Sequence, residues 1–169
     1  MGATGGSIAN RADMIHQSNK KEKMLQEVER ESTYSKSFWT TCTLTGEDLE
    51  APIVVTKSGQ LINKLPLVEA MLTKNLPSHL KDIKSLKLVK DLDLRGKKTP
   101  TTYVCPLSSV SPYYGVGGSF LFLWECGHMF EESKFRSFAP TECPICSMKI
   151  NDKKIIKLCS REIKDPLNQ

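Results

Sequence analysis

The sequence predicts an α+β protein built from two small modules in tandem, each with two short strands followed by a helix. A Cys-led loop, an apolar run, a turn, a short strand and a helical segment occur in this order over residues 38–75 and again over residues 103–138. Of the 169 residues, 39% are hydrophobic and 25% are charged, a balance typical of one compact unit or of two small modules that share an interface. Only the second copy carries closely spaced metal-ligand residues, so we expect the two copies to differ in metal content.

Residues 1–37 predict a charged, extended arm that precedes the core. The stretch is Gly-rich at its start and then strongly charged, in "SNKKEKMLQEVERESTYSKS", with too few apolar residues for a core of its own. We expect one helix in it, near Lys20 to Glu31. The chain has neither an apolar run of about 18 residues nor the apolar segment of a secretory signal, which predicts a soluble, intracellular protein with no membrane contact.

The first module is predicted over residues 38–98. Cys42 opens its loop, an apolar run from Pro52 to Val55 predicts the first strand, and a Ser-Gly turn separates that strand from the second. A helix should open near Asn63 to Pro66, because proline is favoured in the first turn of a helix. A linker strand follows, indicated by three leucines, Leu88, Leu92 and Leu94.

The second module is predicted over residues 99–160, with residues 161–169 as a C-terminal tail. Its first strand is the run from Phe120 to Trp124, which is apolar on both faces and should therefore lie between the two modules. A turn around Gly127, a short strand and a helix from about Glu132 to Phe138 complete the repeat.

Two segments of the second module fall outside this repeat. The stretch "MKINDKKIIKLCS", which follows Cys146, predicts a hairpin that turns at Asn151-Asp152, with Cys159 in the interior of a strand. Tyr113, Tyr114 and the glycines of residues 115–118 predict a mobile loop ahead of the Gly127 turn.

Cys126-x-His128 and Cys143-x-x-Cys146 have the spacing of zinc-ligand pairs. Two ligands at a turn and two in a knuckle can converge on a tetrahedral ion, whereas the alternative is that an unrelated C-x-x-C lies near them by chance. Six cysteines in an intracellular chain favour metal binding and buried thiols over disulfides. Three thiolates and one imidazole fill the coordination sphere and favour zinc over hard cations, so we expect one structural Zn²⁺ and no catalytic residue.

An overlay of the two copies shows where the first copy lacks ligands. The segment Cys42–Thr45 aligns with Cys105–Ser108, and Ser58 and Gln60 fall at the positions of Cys126 and His128. The first module is therefore expected to be zinc-free, with Cys42 and Cys105 as buried thiols under their loops.

The ligand order of the second module resembles the single-zinc RING variant found in SUMO ligases. The first module resembles a U-box, a RING relative in which hydrogen bonds among polar side chains replace zinc, and Ser58 and Gln60 fit that replacement. Several motifs together resemble the replication termination factor 2 family across nearly the whole chain: "MGATGGSI", the C-T-L loop, "LINK", "SHLKDIKSLK", C-P, C-G-H and C-x-x-C.

This family resemblance implies a nuclear protein that acts at stalled or barrier-arrested replication forks, with links to pre-mRNA splicing in some members. We therefore expect a zinc-binding adaptor with replication or splicing proteins as partners. The resemblance, not the composition, carries this expectation.

Two alternatives remain open at this point. A ubiquitin or SUMO ligase would need a groove for a conjugating enzyme, for which the candidate residues are Leu44, Leu107, Pro144 and Ile145. Ser147 stands where an arginine would bridge the conjugating enzyme to its modifier, so transfer would be weakly activated and an enzyme is the less favoured interpretation.

The second alternative is nucleic-acid binding. The formal net charge is +5, and lysines recur at every third position from Lys81 to Lys90. Asp82, Asp91 and Asp93 interrupt this run, and no base-reading pattern accompanies it, so a solvated edge of the fold is the favoured interpretation.

Overall fold

The computed structural model describes residues 11–113 and 119–158, which form helices and two small antiparallel sheets, as an α+β protein should. The predictions for Tyr114 to Gly118, for Cys159 and for the tail at residues 161–169 lie outside the described residues. The chain divides into two compact units between Tyr34 and Ser35. In the described part of the chain, no helix has the length and apolar character needed to cross a membrane.

The N-terminal helix, α1, spans Arg11–Thr40 and is much longer than the predicted segment from Lys20 to Glu31. The Ser and Thr residues after Glu31 have low intrinsic helix propensity, which favours a shorter helix than the one observed. In the structure these residues are helical, and the hydroxyl groups of Thr33 and Thr40 donate to carbonyl oxygens four residues earlier, which satisfies the hydroxyls within the helix.

The first sheet has three strands: β1 (Ile53–Thr56), β2 (Leu61–Asn63) and β3 (Val89–Asp91). β1 is central, with Val55 opposite Leu61 on one side and opposite Lys90 on the other. Helix α2 (Lys64–Leu72) follows β2 directly, as predicted. The linker strand is shorter than the predicted span, because residues 86–88 form a 3₁₀ turn before it.

The second sheet repeats this arrangement with β4 (Phe120–Leu123), β5 (Met129–Glu131) and β6 (Ile155–Leu158). β4 is central between β5 and β6, and helix α3 (Glu132–Phe138) follows β5 directly. All four residues of β4 are buried, which confirms that this strand is covered on both faces. Both sheets therefore have the same strand order, in agreement with the repeat seen in the sequence.

The predicted hairpin at Asn151-Asp152 is wrong. Residues 152–154 form a 3₁₀ turn, and the strand after it pairs with β4 rather than with the preceding segment. Asn151 has a different role from the predicted one. Its side chain accepts a hydrogen bond from the Lys153 N–H and so caps the 3₁₀ turn. Ser85 caps the 3₁₀ turn before β3 in the same way.

One continuous hydrophobic core lies within the unit that begins at Ser35. This core contains buried residues from the strands of both sheets. Within it, the rings of Trp39 and Phe120 meet edge to face, with their centroids 5.5 Å apart. The hydroxyl group of buried Tyr103 donates to the Met129 carbonyl. Aromatic side chains thus tie the N-terminal end of the core to the sheet that carries the metal-ligand turn.

Candidate metal centre

Cys126 and His128 lie on the tight turn between β4 and β5. The Gly127 N–H donates to the Leu123 carbonyl at 2.9 Å, and the Leu123 N–H donates to the His128 carbonyl at 2.9 Å. Gly127 has φ +79°, a conformation that favours glycine. Cys126 and His128 therefore flank Gly127, a position at which other residues would be strained.

Cys143 and Cys146 lie on a knuckle of five residues. The Cys143 N–H donates to the Met148 carbonyl and the Ser147 N–H donates to the Cys143 carbonyl, both at 2.8 Å. Ser147 has φ +56°, which reverses the chain immediately after the second thiol. A bridge between Glu142 and Lys149 closes the knuckle at its base.

The turn and the knuckle bring the four predicted ligands together. One ligand atom from each of Cys126, His128, Cys143 and Cys146 lies within 4.8 Å of all the others. Nδ1 of His128 is 3.4 Å from Sγ of Cys143. A tetrahedral zinc with its usual bond lengths separates such atoms by about 3.5–3.8 Å, so this set fits one zinc ion after a small contraction.

The pKa values of the thiols differ between the buried and the exposed side of the site. Burial raises the pKa of the Cys126 thiol to about 12. At the more exposed end of the site, the backbone N–H of Met148 lowers the pKa of Cys146. Thiolates are the form that binds zinc, and a bound dication would stabilise all three of them at neutral pH.

Asp93 completes the site from outside the repeat. Its Oδ2 lies 3.1 Å from Nε2 of His128, which places the imidazole proton on Nε2 and leaves Nδ1 free to face the thiols. The Asp93 N–H also donates to the Gly127 carbonyl at 2.9 Å. This role of Asp93 could not be predicted from the sequence, because its spacing to the ligands follows no recognisable pattern and only the fold of the linker brings it to His128.

The first module keeps the turn but not the ligands. The Thr56 N–H donates to the Gln60 carbonyl at 3.1 Å, and Gly59 has φ +83°, so this turn also has a glycine of positive φ before its last residue, but it is one residue shorter than the Gly127 turn. The hydroxyl groups of Thr56 and Ser58 are 2.8 Å apart, and the Gln60 N–H donates to Thr56 Oγ1. Among the described residues, none donates to Oε1 of Gln60.

Cys42 and Cys105 are buried thiols, as predicted. Each begins a knuckle with the same two backbone hydrogen bonds as the Cys143 knuckle. The Asn63 N–H approaches Sγ of Cys42 at 3.3 Å, and the Glu131 N–H approaches Sγ of Cys105 at 3.4 Å. In these two knuckles the sulfur accepts a hydrogen bond from the end of the neighbouring strand.

The remaining candidate residues lie near the surface. Leu44, Leu107 and Ile145 are half-buried and pack against the core, while Pro144 is exposed. Lys81, Lys84 and Lys87 are exposed, and Lys90 is half-buried within β3.

Comparison with known proteins gives a family for this arrangement. A family model described as the Rtf2 RING-finger matches residues 1–166. The Schizosaccharomyces pombe protein named splicing factor rtf2 is 28% identical over 165 residues, which cover 94% of this chain and 65% of that protein.

Two further relatives are named replication termination factor 2. The Dictyostelium discoideum protein is 29% identical over 147 residues, covering 80% of this chain and 51% of its own length. The Homo sapiens protein is 28% identical over 181 residues, covering 94% of this chain and 56% of its own length. The chain thus spans about half to two-thirds of the curated relatives it matches.

Proposed function

This chain belongs to the Rtf2 RING-finger family, and from that membership we propose that it is a nuclear zinc-binding adaptor that acts at stalled or barrier-arrested replication forks. The match over residues 1–166 carries this proposal, because two of the relatives bear the name replication termination factor 2. The partners would be replication proteins, held by a module whose shape depends on zinc.

The metal centre supports an adaptor more than a hydrolytic enzyme. Three sulfurs and one imidazole nitrogen converge on a single point, which leaves no position for a water or substrate ligand. The zinc would be held by Cys126, His128, Cys143 and Cys146, and its chemistry would be to cross-link the turn and the knuckle. A centre of this type stabilises a binding surface without taking part in a reaction.

We also propose the finer division of the chain. A charged arm occupies residues 1–37, a U-box-like, zinc-free module with its linker strand occupies 38–98, a RING-like, single-zinc module occupies 99–160, and a tail follows at 161–169. The shared strand order of the two sheets and the positive φ of both turn glycines, Gly59 and Gly127, support this division. Ser58 and Gln60 would be the zinc-replacing positions.

A role in pre-mRNA splicing is the second candidate. It is favoured by the name of the Schizosaccharomyces pombe relative, splicing factor rtf2. The same zinc-dependent surface would then bind splicing proteins instead of replication proteins.

A ubiquitin or SUMO ligase is the third candidate. Pro144 is exposed and Ile145 and Leu107 are half-buried, which leaves them available to a conjugating enzyme, with Leu44 as the corresponding residue of the first module. Ser147 opposes strong transfer activity, since its hydroxyl cannot make the two parallel hydrogen bonds of an arginine.

Partner capture from nuclei tests these candidates. The tagged chain is compared with Cys143→Ser, which removes a zinc ligand, and with Cys105→Ser, which changes a buried thiol of an equivalent knuckle. Replication proteins retained by the parent and Cys105→Ser but lost by Cys143→Ser would support the adaptor proposal. Retention of splicing proteins alone would favour the second candidate, and discharge of a charged conjugating enzyme by the purified chain would favour the third. A chain excluded from the nucleus would contradict the proposal.

A further inference from the structure

The metal-binding turn contacts the first sheet as well as its own. A Cβ atom at Gly127 would lie 2.6 Å from the carbonyl oxygen of Asp91, the last residue of β3, so the two backbones approach as closely as glycine permits. The Asp93 N–H donates to the Gly127 carbonyl at 2.9 Å, and the Asp93 carboxylate lies 3.1 Å from Nε2 of His128. Three contacts thus join two residues of the turn to the end of β3 and the linker.

Strand β3 has few other contacts that hold it in place. It has three residues, lies at an edge of its sheet and, among the described strands, pairs only with β1. Val89 is buried, whereas Lys90 is half-buried and Asp91 is exposed. The ion pair of Asp91 with Lys64 is largely exposed to solvent and therefore contributes little. A short edge strand with one buried side chain is typical of the less stable parts of a fold.

The segment after β3 bonds alternately to the two sheets. The Leu92 N–H donates to the Ile53 carbonyl of β1 at 2.9 Å, whereas the next backbone donor, that of Asp93, bonds to the metal-binding turn. Leu92 and Leu94 are only 8% and 4% exposed and belong to the core. A shift of the turn would therefore displace the residue next to a hydrogen bond between the linker and β1.

The metal centre fixes the position of the turn. Cys126 and His128 on the turn converge with two thiols of the knuckle, and a bound zinc would cross-link these two segments. Ligands that are distant in sequence are rarely held together without their metal, so metal binding is coupled to the ordering of the segments that carry them. A strand that contacts the turn shares this dependence.

We propose that β3, although it is a strand of the first sheet, is held in place by the zinc centre of the second module. Strand β2 lies on the far side of β1, so it and the helix α2 that follows it should not need the metal. The coupling is reciprocal, since a metal that favours the docking of β3 is bound more tightly when β3 is docked. One edge of the zinc-free module would thus respond to zinc. This inference rests on the metal centre and not on the replication role.

Hydrogen exchange of the full chain, with zinc and after chelation, tests this dependence. Loss of zinc should accelerate exchange in residues 89–93 by a factor about tenfold larger than in residues 61–72, which include β2 and α2. Elemental analysis confirms that the metal has been removed. Equal acceleration in the two segments, or no acceleration in residues 89–93, would overturn the proposal.

Zinc affinity provides the reciprocal test. Val89→Ala removes two methyl groups from the buried residue of β3 and changes no metal ligand, whereas Val68→Ala makes the same change at a half-buried position of α2. Competition with a chromogenic chelator should show that Val89→Ala binds zinc about fivefold or more weakly than the parent, with Val68→Ala unchanged. Equal zinc affinities for the two variants would contradict the coupling. If Val89→Ala does not fold, the exchange measurement on the parent chain still decides.

Discussion

The carboxylate of Asp93 lies 3.1 Å from Nε2 of His128, so a residue of the linker between the two sheets orients a ligand of the metal centre. Asp93 also bonds to the turn through its backbone N–H, which reaches the Gly127 carbonyl. A histidine ligand whose second nitrogen donates to a carboxylate has a fixed tautomer and a more basic coordinating nitrogen. Asp93 lies two residues after the end of strand β3, so the linker connects the metal centre to the first sheet.

Replacement of Asp93 by alanine should weaken zinc binding by about 10–100-fold. The four ligands remain, but the imidazole loses the acceptor that fixes its orientation. The measurement is competition for zinc between the protein and a chromogenic chelator at neutral pH.

Asp91→Ala is the matched control for Asp93→Ala. The Asp91 carboxylate pairs with Lys64 at 2.8 Å, is 64% exposed and makes no contact with His128. The control should therefore bind zinc like the parent. Equal zinc affinities for the two variants would show that the Asp93 carboxylate has no part in metal binding.

Substitution of Gly127 by alanine should destabilise the protein by about 2–4 kcal/mol. Part of this cost arises from the positive φ of +79°, and the larger part arises because a Cβ atom would lie 2.6 Å from the Asp91 carbonyl oxygen. Gly96→Ala is a control with the same backbone strain, since Gly96 has φ +78° and nothing within 4 Å of its Cβ position. Chemical unfolding of the zinc-loaded variants should show the larger loss for Gly127→Ala, and similar losses would argue against a close approach of the linker to the turn.

The local parts of this structure could be predicted from the sequence and the nonlocal parts could not. The strands, both short helices after them and the zinc pairs at Cys126 and Cys143 depend on spacing within a few residues, which periodicity and ligand patterns record. The contact of Asp93 with His128 depends on the path of the linker, and no spacing rule describes it.

Two local signals were ambiguous in physical terms. The pair Asn151-Asp152 is typical of a hairpin turn, but asparagine also caps helical turns, and here the cap prevails because the following strand pairs with β4. The Ser- and Thr-rich end of α1 has low intrinsic helix propensity, yet it is helical in the structure, with the hydroxyl groups of Thr33 and Thr40 bonded to the helix backbone. Neither outcome could be decided from the residues alone.

Cys143→Ala should reduce the zinc content from one ion per chain to much less than one, and Cys105→Ala should leave it at one. Both cysteines are buried and begin knuckles with the same backbone hydrogen bonds, but within residues 11–113 and 119–158 only Cys143 of the two belongs to a cluster of possible metal ligands. Elemental analysis of the purified variants measures the content directly. A parent chain with two zinc ions, or loss of zinc in Cys105→Ala, would contradict a single centre.

Glu132 should make stability depend on pH below about 5. Burial alone would raise its pKa, but the hydrogen bond from Ser119 and the cations Lys157 and Arg136 outweigh burial and lower the pKa to about 2. The two cationic nitrogens lie 2.9 and 2.8 Å from the carboxylate. Because the pKa is lowered on folding, this contribution is complete above the unfolded pKa of about 4.3 and disappears as the pH falls toward 2.

The comparison of Glu132→Gln with the parent isolates this contribution. Near neutral pH the variant should be less stable by up to about 2 kcal/mol, because the amide keeps the shape of the side chain but not its charge. The difference should shrink between about pH 5 and pH 2, as the parent carboxylate takes up its proton. Urea unfolding at a series of pH values measures it, and loss of zinc in acid affects both proteins alike because neither Ser119 nor the two cations contact the metal centre. A difference that stays constant over this range would show that the carboxylate charge at Glu132 does not stabilise the fold.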